Sequence, residues 1–424
     1  MPNHSSCRLV CSTSLLFATF YFVQAHIKHL SISFYFNMEF HKFRIRSYEG
    51  QSDRAQVENL ERKCEVGPSE SVFLFTDTMG DPICRIRNSP MYMMLVAELD
   101  NELVGVIQGS IKVVTVQGHP PKDLAKVGYV LGLRVSQNHR RKGIGSSLVT
   151  TLEEWFISND VDYAYMATEK ENHASTNLFI NKFHYTKFRT PSILVNPVNH
   201  HSFKFSSNIE ISRLKIEQAE SLYRRFMGST EFFPNDIGNI LKNKLSLGTW
   251  MAYYKDDINI GPNGQIPKSW AMLSVWNSGE IFKLKLGKVP FCCLLYTKSW
   301  CLIDKIFPCL KLPTLPDFYN PFGFYFMYGV YHEGPFSGKL VRALCQFVHN
   351  MAKENKDEKV KIIVTEVGGR DELNHHIPHW KLLSCPEDLW CIKALKNEGL
   401  SINTFHELTK TSPTRALFVD PREV

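Results

Sequence analysis

An extended apolar run over residues 127–135 gives way to the basic turn Arg140-Arg141-Lys142-Gly143-Ile144-Gly145-Ser146, which in turn opens a helix predicted over residues 143–158. A strand that feeds a helix through glycines leaves the first helical N–H groups without intrahelical partners. It aims them, with the positive end of the helix dipole, at whatever lies in front. Gly143 and Gly145 let an anion approach that backbone, and Arg140, Arg141 and Lys142 add positive charge. Taken alone, such a turn can also be a solvated helix cap.

The surrounding pattern alternates strand and helix, the mark of a mixed α/β layer fold. Residues 43–46 alternate as a short strand, and residues 52–64 are predicted helical with Val57, Leu60 and Cys64 on one face. Residues 91–99 and 103–114 read as strands parted by Asp100-Asn101-Glu102, a hairpin turn. Residues 162–168 read as strand, 172–183 as helix and 185–189 as a closing strand, which completes a domain over 41–200.

A second α/β region over 201–424 starts near Ile209, passes a surface loop at 261–264 and repeats the earlier order. A strand over 324–331 leads to a turn at 334–338, a helix over 339–353 and a strand over 360–367. The reading is a degenerate internal duplication, although any α/β domain offers strand-turn-helix-strand units. Pro335 removes a backbone donor from the second turn, and the basic residues are missing there, so that turn is not expected to bind a cofactor.

Composition narrows the class further. With 424 residues, 44% hydrophobic and 21% charged, the chain is neither disordered nor fibrous. The net charge of +7 is spread among acidic residues rather than gathered into runs, so direct nucleic-acid binding is not expected. The 11 cysteines are scattered, include the adjacent pair Cys292-Cys293 and give no disulfide framework; they read as reduced thiols. His375, His376 and His379 with Cys385 and Cys391 lack the spacing of a zinc site, so no metal is expected. Residues 9–23 are apolar but too short to span a bilayer comfortably, and Gln24-Ala25-His26 is a poor cleavage site. Residues 1–40 read as an extension outside the fold, with a targeting segment or a packed or anchoring helix as alternatives, and no stable membrane insertion is expected.

The basic turn fits neither the dinucleotide pattern GxGxxG nor the P-loop pattern, which leaves the phosphates of coenzyme A as the better ligand. Further on, Asn172-His173-Ala174-Ser175-Thr176-Asn177-Leu178-Phe179 opens a helix with Asn172, Ser175 and Phe179 on a common face. Together these residues resemble the GNAT superfamily, with R/Q-x-x-G-x-G/A after a strand and N-x-x-A-x-x-x-Y on the next helix. Arg140, Gly143 and Gly145 match the first motif; Asn172 matches the second, with Ser175 in the small place and Phe179 in the aromatic one.

A closer resemblance, over nearly all the chain after about residue 41, is to the plant HOOKLESS-like N-acetyltransferases. It is carried by Phe75-Thr76-Asp77, Tyr129-Val130-Leu131-Gly132-Leu133-Arg134-Val135, Thr230-Glu231-Phe232-Phe233-Pro234, His379-Trp380-Lys381, Asp388-Leu389-Trp390-Cys391-Ile392 and Phe418-Val419-Asp420-Pro421-Arg422. The resemblance implies a GNAT acyl-CoA N-acyltransferase fold followed by a second, degenerate GNAT-like domain. It also implies acetyl-CoA as co-substrate, hormone-dependent growth control in a plant, and a nuclear or cytoplasmic address; the acceptor is read as an amine on a protein, with a lysine, an N-terminus and a small amine all open. Carried over residue by residue, acetyl-CoA would lie against Leu133, Arg134, Val135, Arg140, Arg141, Lys142, Gly143, Ile144, Gly145, Ser146, Asn172, Ser175 and Phe179.

Two of the family's catalytic positions depart from its pattern. The tyrosine that protonates the departing thiolate is replaced by Phe179, and the strand position of a glutamate base falls on Tyr129. Glu98, Glu169 and Tyr129, or His173 through water, remain as candidates for proton transfer. A second reading keeps acetyl-CoA binding in a regulatory protein with weak or absent catalysis.

Overall fold

The computed structural model describes residues 43–64, 74–116, 124–199, 201–257, 266–287, 320–355, 360–385, 387–396, 409 and 417–424. The extension at 1–40, the loop at 261–264 and the Cys292-Cys293 pair lie outside them.

The first half supplies β1 (Arg44–Ser47), α1 (Arg54–Lys63), β2 (Leu74–Asp77), β3 (Met91–Leu99), β4 (Glu102–Thr115), β5 (Leu124–Val135), α2 (Ile144–Ser158), β6 (Tyr163–Glu169), α3 (His173–Thr176) and β7 (Thr186–Arg189). There follow β8 (Ser192–Pro197), β9 (Ile209–Leu214), α4 (Ile216–Met227), α5 (Ile237–Lys242), β10 (Ser246–Tyr254), β11 (Trp270–Asn277) and β12 (Lys283–Leu286). The chain continues with β13 (Gly323–Glu333), α6 (Ser337–Glu354), β14 (Val360–Val367), α7 (Leu373–His376) and β15 (Asp388–Ala394). A seven-stranded sheet runs β1-β3-β4-β5-β6-β15-β7, a six-stranded sheet runs β8-β14-β13-β11-β10-β9, and β2 pairs with β12.

The hairpin forms as read: Asp100 and Asn101 both take positive φ, 50° and 63°, which matches the twist of the strands they join. The helix read over 172–183 differs in kind, because α3 continues as a π-helical turn over Asn177–Lys182.

A track of glycines seats α2 on the first sheet. A Cβ at Gly105 would lie 2.9 Å from Ile144, at Gly109 2.7 Å from Leu152 and at Gly128 2.7 Å from Phe156. Ile144, Leu148, Leu152 and Phe156 recur every fourth residue and form one buried ridge above that track. The close approach holds the N-terminus of α2 level with the end of β5.

The closing strand of the first domain is separated from the rest of its own half by a strand from the second. β7 does not pair with β6; β15 lies between them, with Trp390 opposite both Ala167 and Arg189. In exchange β8 joins the second sheet, with Val195 opposite Val364 of β14. The two sheets therefore do not part at one point in the sequence: β8, before the boundary read at residue 200, belongs to the second sheet, and β15, after it, belongs to the first.

The duplication is visible in the strands themselves. Parallel pairing of β5 with β6 stops at Val130↔Met166, and that of β13 with β14 stops at Met327↔Thr365. Two residues past each last β5 or β13 partner stands a glycine of positive φ, Gly132 at 62° and Gly329 at 58°. Each sits where the strand bulges against its antiparallel neighbour, β4 or β11. In the second copy the space is filled by protein: the Tyr223 ring abuts Gly329, and the His376 imidazole lies against Gly338 at the start of α6.

Candidate active site

Gly143 caps α2 at φ 85°, and Arg141 two residues earlier takes φ 62°. Left-handed residues set into such a turn direct successive N–H groups to one side. The N–H groups of Arg141, Lys142, Gly143, Ile144, Gly145 and Ser146 make no hydrogen bond among the described residues; the first helical bond runs from Ser147 N to Gly143 O at 3.0 Å. A Cβ on Gly143 would meet nothing within 4 Å, so the space before the turn is open. Arg140, Arg141 and Lys142 are exposed around it, and the first turn of α2 carries no acidic residue. These are the donors and charges that a pyrophosphate requires.

Gly145 fixes what lies beside the turn. A Cβ there would be 3.6 Å from Val135 and 3.9 Å from Leu178, so α2 begins between the end of β5 and the π-helical turn. Sequence reasoning missed Lys182 of that turn, whose Nζ donates to Ser146 Oγ at 2.7 Å. Beyond Val130 and Met166, β5 and β6 diverge and open a gap next to the cradle. One extra residue of β5 bulges there, between the pairs Val106↔Arg134 and Gln108↔Leu131.

The other binding candidates divide between cradle and scaffold. Leu133, Arg134 and Val135 bring their backbone to the gap, but the Arg134 guanidinium turns to Glu61 of α1 at 3.3 Å. Asn172 accepts from Ser175 N at 3.1 Å and so caps α3. Phe179 is 3% exposed and packs edge-on to Tyr185 at 5.3 Å, as apolar core behind the cradle.

Two catalytic candidates are corrected. Glu98 takes Arg46 Nε at 2.7 Å, and Arg46 also holds Asp53 at 2.6 Å, so this carboxylate belongs to an ion cluster joining β1, β3 and α1. Tyr129 stacks on Tyr165 with ring centroids 4.8 Å apart, and burial pushes its hydroxyl far above the usual range, which excludes a phenolate base near neutral pH. Glu169 ends β6 opposite Asp388 of β15, half-buried, with its carboxyl raised by burial and by Glu171. His173 is exposed on the first turn of α3.

α2 and the π-helical turn cover one face of the gap. The other faces the core between the sheets and carries Tyr129, Leu131, Tyr165, Ala167 and Trp390. Trp390 Nε1 donates to Glu366 Oε1 of β14 at 3.1 Å. Burial, then Asp388, pushes the Glu366 carboxyl up to about 8, and burial pushes Asp388 to about 6.

Beside this face runs a buried ion network. Lys112 Nζ lies 2.8 Å from Glu423 Oε2 and 3.4 Å from Asp420, the Tyr165 hydroxyl donates to Glu423 at 2.6 Å, and Arg422 holds Asp420 and Asp236. A signal for it was available: Gln108, Ser110 and Lys112 alternate as polar residues along a strand that is otherwise apolar, and all are 5% exposed or less. A cleft of about 220 Å³ opens nearby, lined by Arg189, Thr190, Glu231, Gly369, Arg370 and Leu417 among others.

Among the described residues, no group of three or more His, Cys, Asp or Glu is arranged to hold a metal, and no helix is long and apolar enough to cross a membrane.

Parallel strands that part at a bulge glycine, with a helix N-terminus of unpaired amides beside the gap, define a GNAT-type acyltransferase, whose fold holds acyl-CoA. The Acetyltransferase (GNAT) family matches residues 54–185. The whole two-sheet arrangement is similar to Saccharomyces cerevisiae N-myristoyltransferase with bound myristoyl-CoA. That likeness has a TM-score of 0.51, covers 83% of this chain and 79% of that one, and at 11% identity is one of fold.

The chain belongs to the HLS1-like N-acetyltransferases. It is 45% identical over 411 residues to the probable N-acetyltransferase HLS1-like of Arabidopsis thaliana, covering 89% of this chain and 98% of that one. It is 46% identical to the probable N-acetyltransferase HLS1 of the same plant, over 89% of this chain and 99% of the relative. With the acetyl transferase GW6a of Oryza sativa subsp. japonica it shares 33% identity over 90% and 97% of the two chains.

Proposed function

We propose that this protein transfers the acetyl group of acetyl-CoA to an amine on a protein, as part of hormone-dependent growth control in a plant, from the nucleus or cytoplasm. The observation that carries the donor half of this reading is the run of unpaired N–H groups from Arg141 to Ser146, ringed by cations and set beside the gap between β5 and β6. The acceptor class, the biological setting and the address rest on membership of the family.

The chemistry follows from the gap. Backbone N–H groups at the bulge beside Gly132 and Leu133 would hold the thioester oxygen and stabilise charge that develops on it. The amine attacks from the face opposite α2, and its proton must pass to a base. A thiolate with a reference pKa near 8.5 departs without strong acid assistance, so Phe179 in place of a tyrosine is compatible with turnover.

The test is incubation of the purified protein with acetyl-labelled acetyl-CoA and a plant protein extract. Acid-stable label in protein, with thiol released above the enzyme-free rate, is the expected result. Binding of acetyl-CoA without either product would contradict the reading.

A further inference from the structure

We propose that Glu366, from the second half of the chain, is the general base that takes the proton of the acceptor amine. The inference rests on the acetyl-transfer reading above and names the residue that the first half lacks.

Geometry carries it. With α2 and the π-helical turn closing one face of the gap, the acceptor reaches the thioester from the face of Tyr129, Leu131 and Trp390. Trp390 stands opposite Ala167, the first β6 residue past the last pair with β5, so its indole lies beside the mouth of the gap. That indole donates to Glu366 Oε1 at 3.1 Å and fixes the carboxylate from one side. The second oxygen, Oε2, makes no hydrogen bond among the described residues. Glu366 lines a small cavity with Tyr328, Gly329, Asp371 and Leu417, and Leu417 also lines the 220 Å³ cleft that runs past Arg189 and Arg370. An amine entering by that cleft meets a carboxylate with one oxygen held and one open.

The charged surroundings suit a base rather than a structural ion pair. Asp388 on β15, Glu423 in the C-terminal segment and Asp371 after β14 surround Glu366, and Glu169, Cys385 and Tyr129 complete the group. Lys112 is committed to Glu423 and Asp420 and Arg189 to Glu231; Lys187 and Arg370 line the entry cleft, and Glu366 has no ion pair among the described residues. Burial and these like charges hold the carboxyl near 8, where a base both accepts a proton and is regenerated near neutral pH.

The experiment follows acetyl transfer from acetyl-CoA to a pool of peptides with free N-termini and lysines, from pH 6 to pH 10, with calorimetric titration of acetyl-CoA in parallel. Glu366→Gln keeps the shape and the Trp390 bond. It is expected to slow transfer by about 100-fold or more and to abolish the limb of the pH profile near 8, with acetyl-CoA affinity unchanged. Trp390→Phe removes a bond that lowers the carboxyl's pKa, so its limb moves to higher pH while the rate on the alkaline plateau stays within a few-fold. A Glu366→Gln protein that keeps the wild-type rate and limb, or that loses acetyl-CoA affinity along with rate, overturns this inference alone. Absence of transfer by the wild type overturns the acetyl-transfer reading and this inference with it.

Discussion

Lys182 Nζ donates to Ser146 Oγ at 2.7 Å, which places a fourth cation at the head of α2 from a position three residues beyond the second motif. Lys182 is exposed and its partner is neutral, so its charge is free to act on an anion in the cradle. Lys182→Ala should weaken acetyl-CoA binding threefold to tenfold, roughly 0.6–1.4 kcal/mol, and the loss should shrink at high salt. Calorimetric titration at two ionic strengths checks both; unchanged affinity at low salt would remove Lys182 from the cradle.

Arg189 and Glu231 form a two-pronged pair, both bonds 2.6 Å long, with each side chain only 5% exposed. Removing one partner leaves a buried charge uncompensated. Glu231→Gln and Arg189→Met should each cost about 3–5 kcal/mol in urea unfolding, and the double variant should lose less than the sum. A loss below about 1 kcal/mol would mean that water reaches the pair in solution.

Glu366, Asp388 and Asp371 all have carboxyls raised by burial, to about 8, 6 and 6. Between its unfolded value and its folded one, each binds more protons in the folded state, so stability falls as pH rises through that window. Asp420 acts oppositely: burial opposes its ionisation, but Arg422 and Lys112 hold it below the usual range, and its contribution is lost only in acid. Melting temperature should therefore decline from pH 5 to pH 8.5, and Glu366→Gln should flatten that decline. A variant that melts in parallel with the wild type across this range would show that Glu366 is not buried as described.

Gly109 lies under Leu152, with 2.7 Å to the place of a Cβ. Gly109→Ala should cost about 1–3 kcal/mol by lifting α2, and should also weaken acetyl-CoA binding because the cradle rides on that helix. Stability measured by urea unfolding and affinity measured by titration should fall together; a neutral substitution would show that α2 has slack on the sheet.

The cradle is legible in the sequence because its signal is local: a strand, a basic glycine turn and a helix follow one another without interruption. The second copy is nearly as legible, since strand, turn, helix and strand recur over 324–367, whereas the splay at Gly132 and Gly329 shows only in the strand pairing and the positive φ. Strand exchange is not, because Leu389, Trp390, Cys391 and Ile392 are all buried and their pattern says strand without saying beside what. Glu98 was a reasonable base by residue type, yet Arg46, distant in sequence, claims its carboxylate. Glu366 reads in sequence as one of three polar residues, with Lys361 and Thr365, on a mostly apolar strand, and only the approach of Trp390 from another sheet gives it a role. Proton chemistry depends on neighbours, and here the neighbours come from far along the chain.

The central claim is that the amides before α2 seat the pyrophosphate of acetyl-CoA. Its most direct test compares wild type, Gly143→Asn and Gly143→Asp by calorimetric titration with acetyl-CoA. Asn and Asp both tolerate the left-handed φ of 85° at this position and differ chiefly in charge. Affinity should fall in both, because either side chain enters the space the anion needs, and should be more than tenfold lower, about 1.4 kcal/mol, for Gly143→Asp than for Gly143→Asn. Equal affinities for the Asn and Asp proteins would contradict the placement of the phosphates and, with it, the donor site.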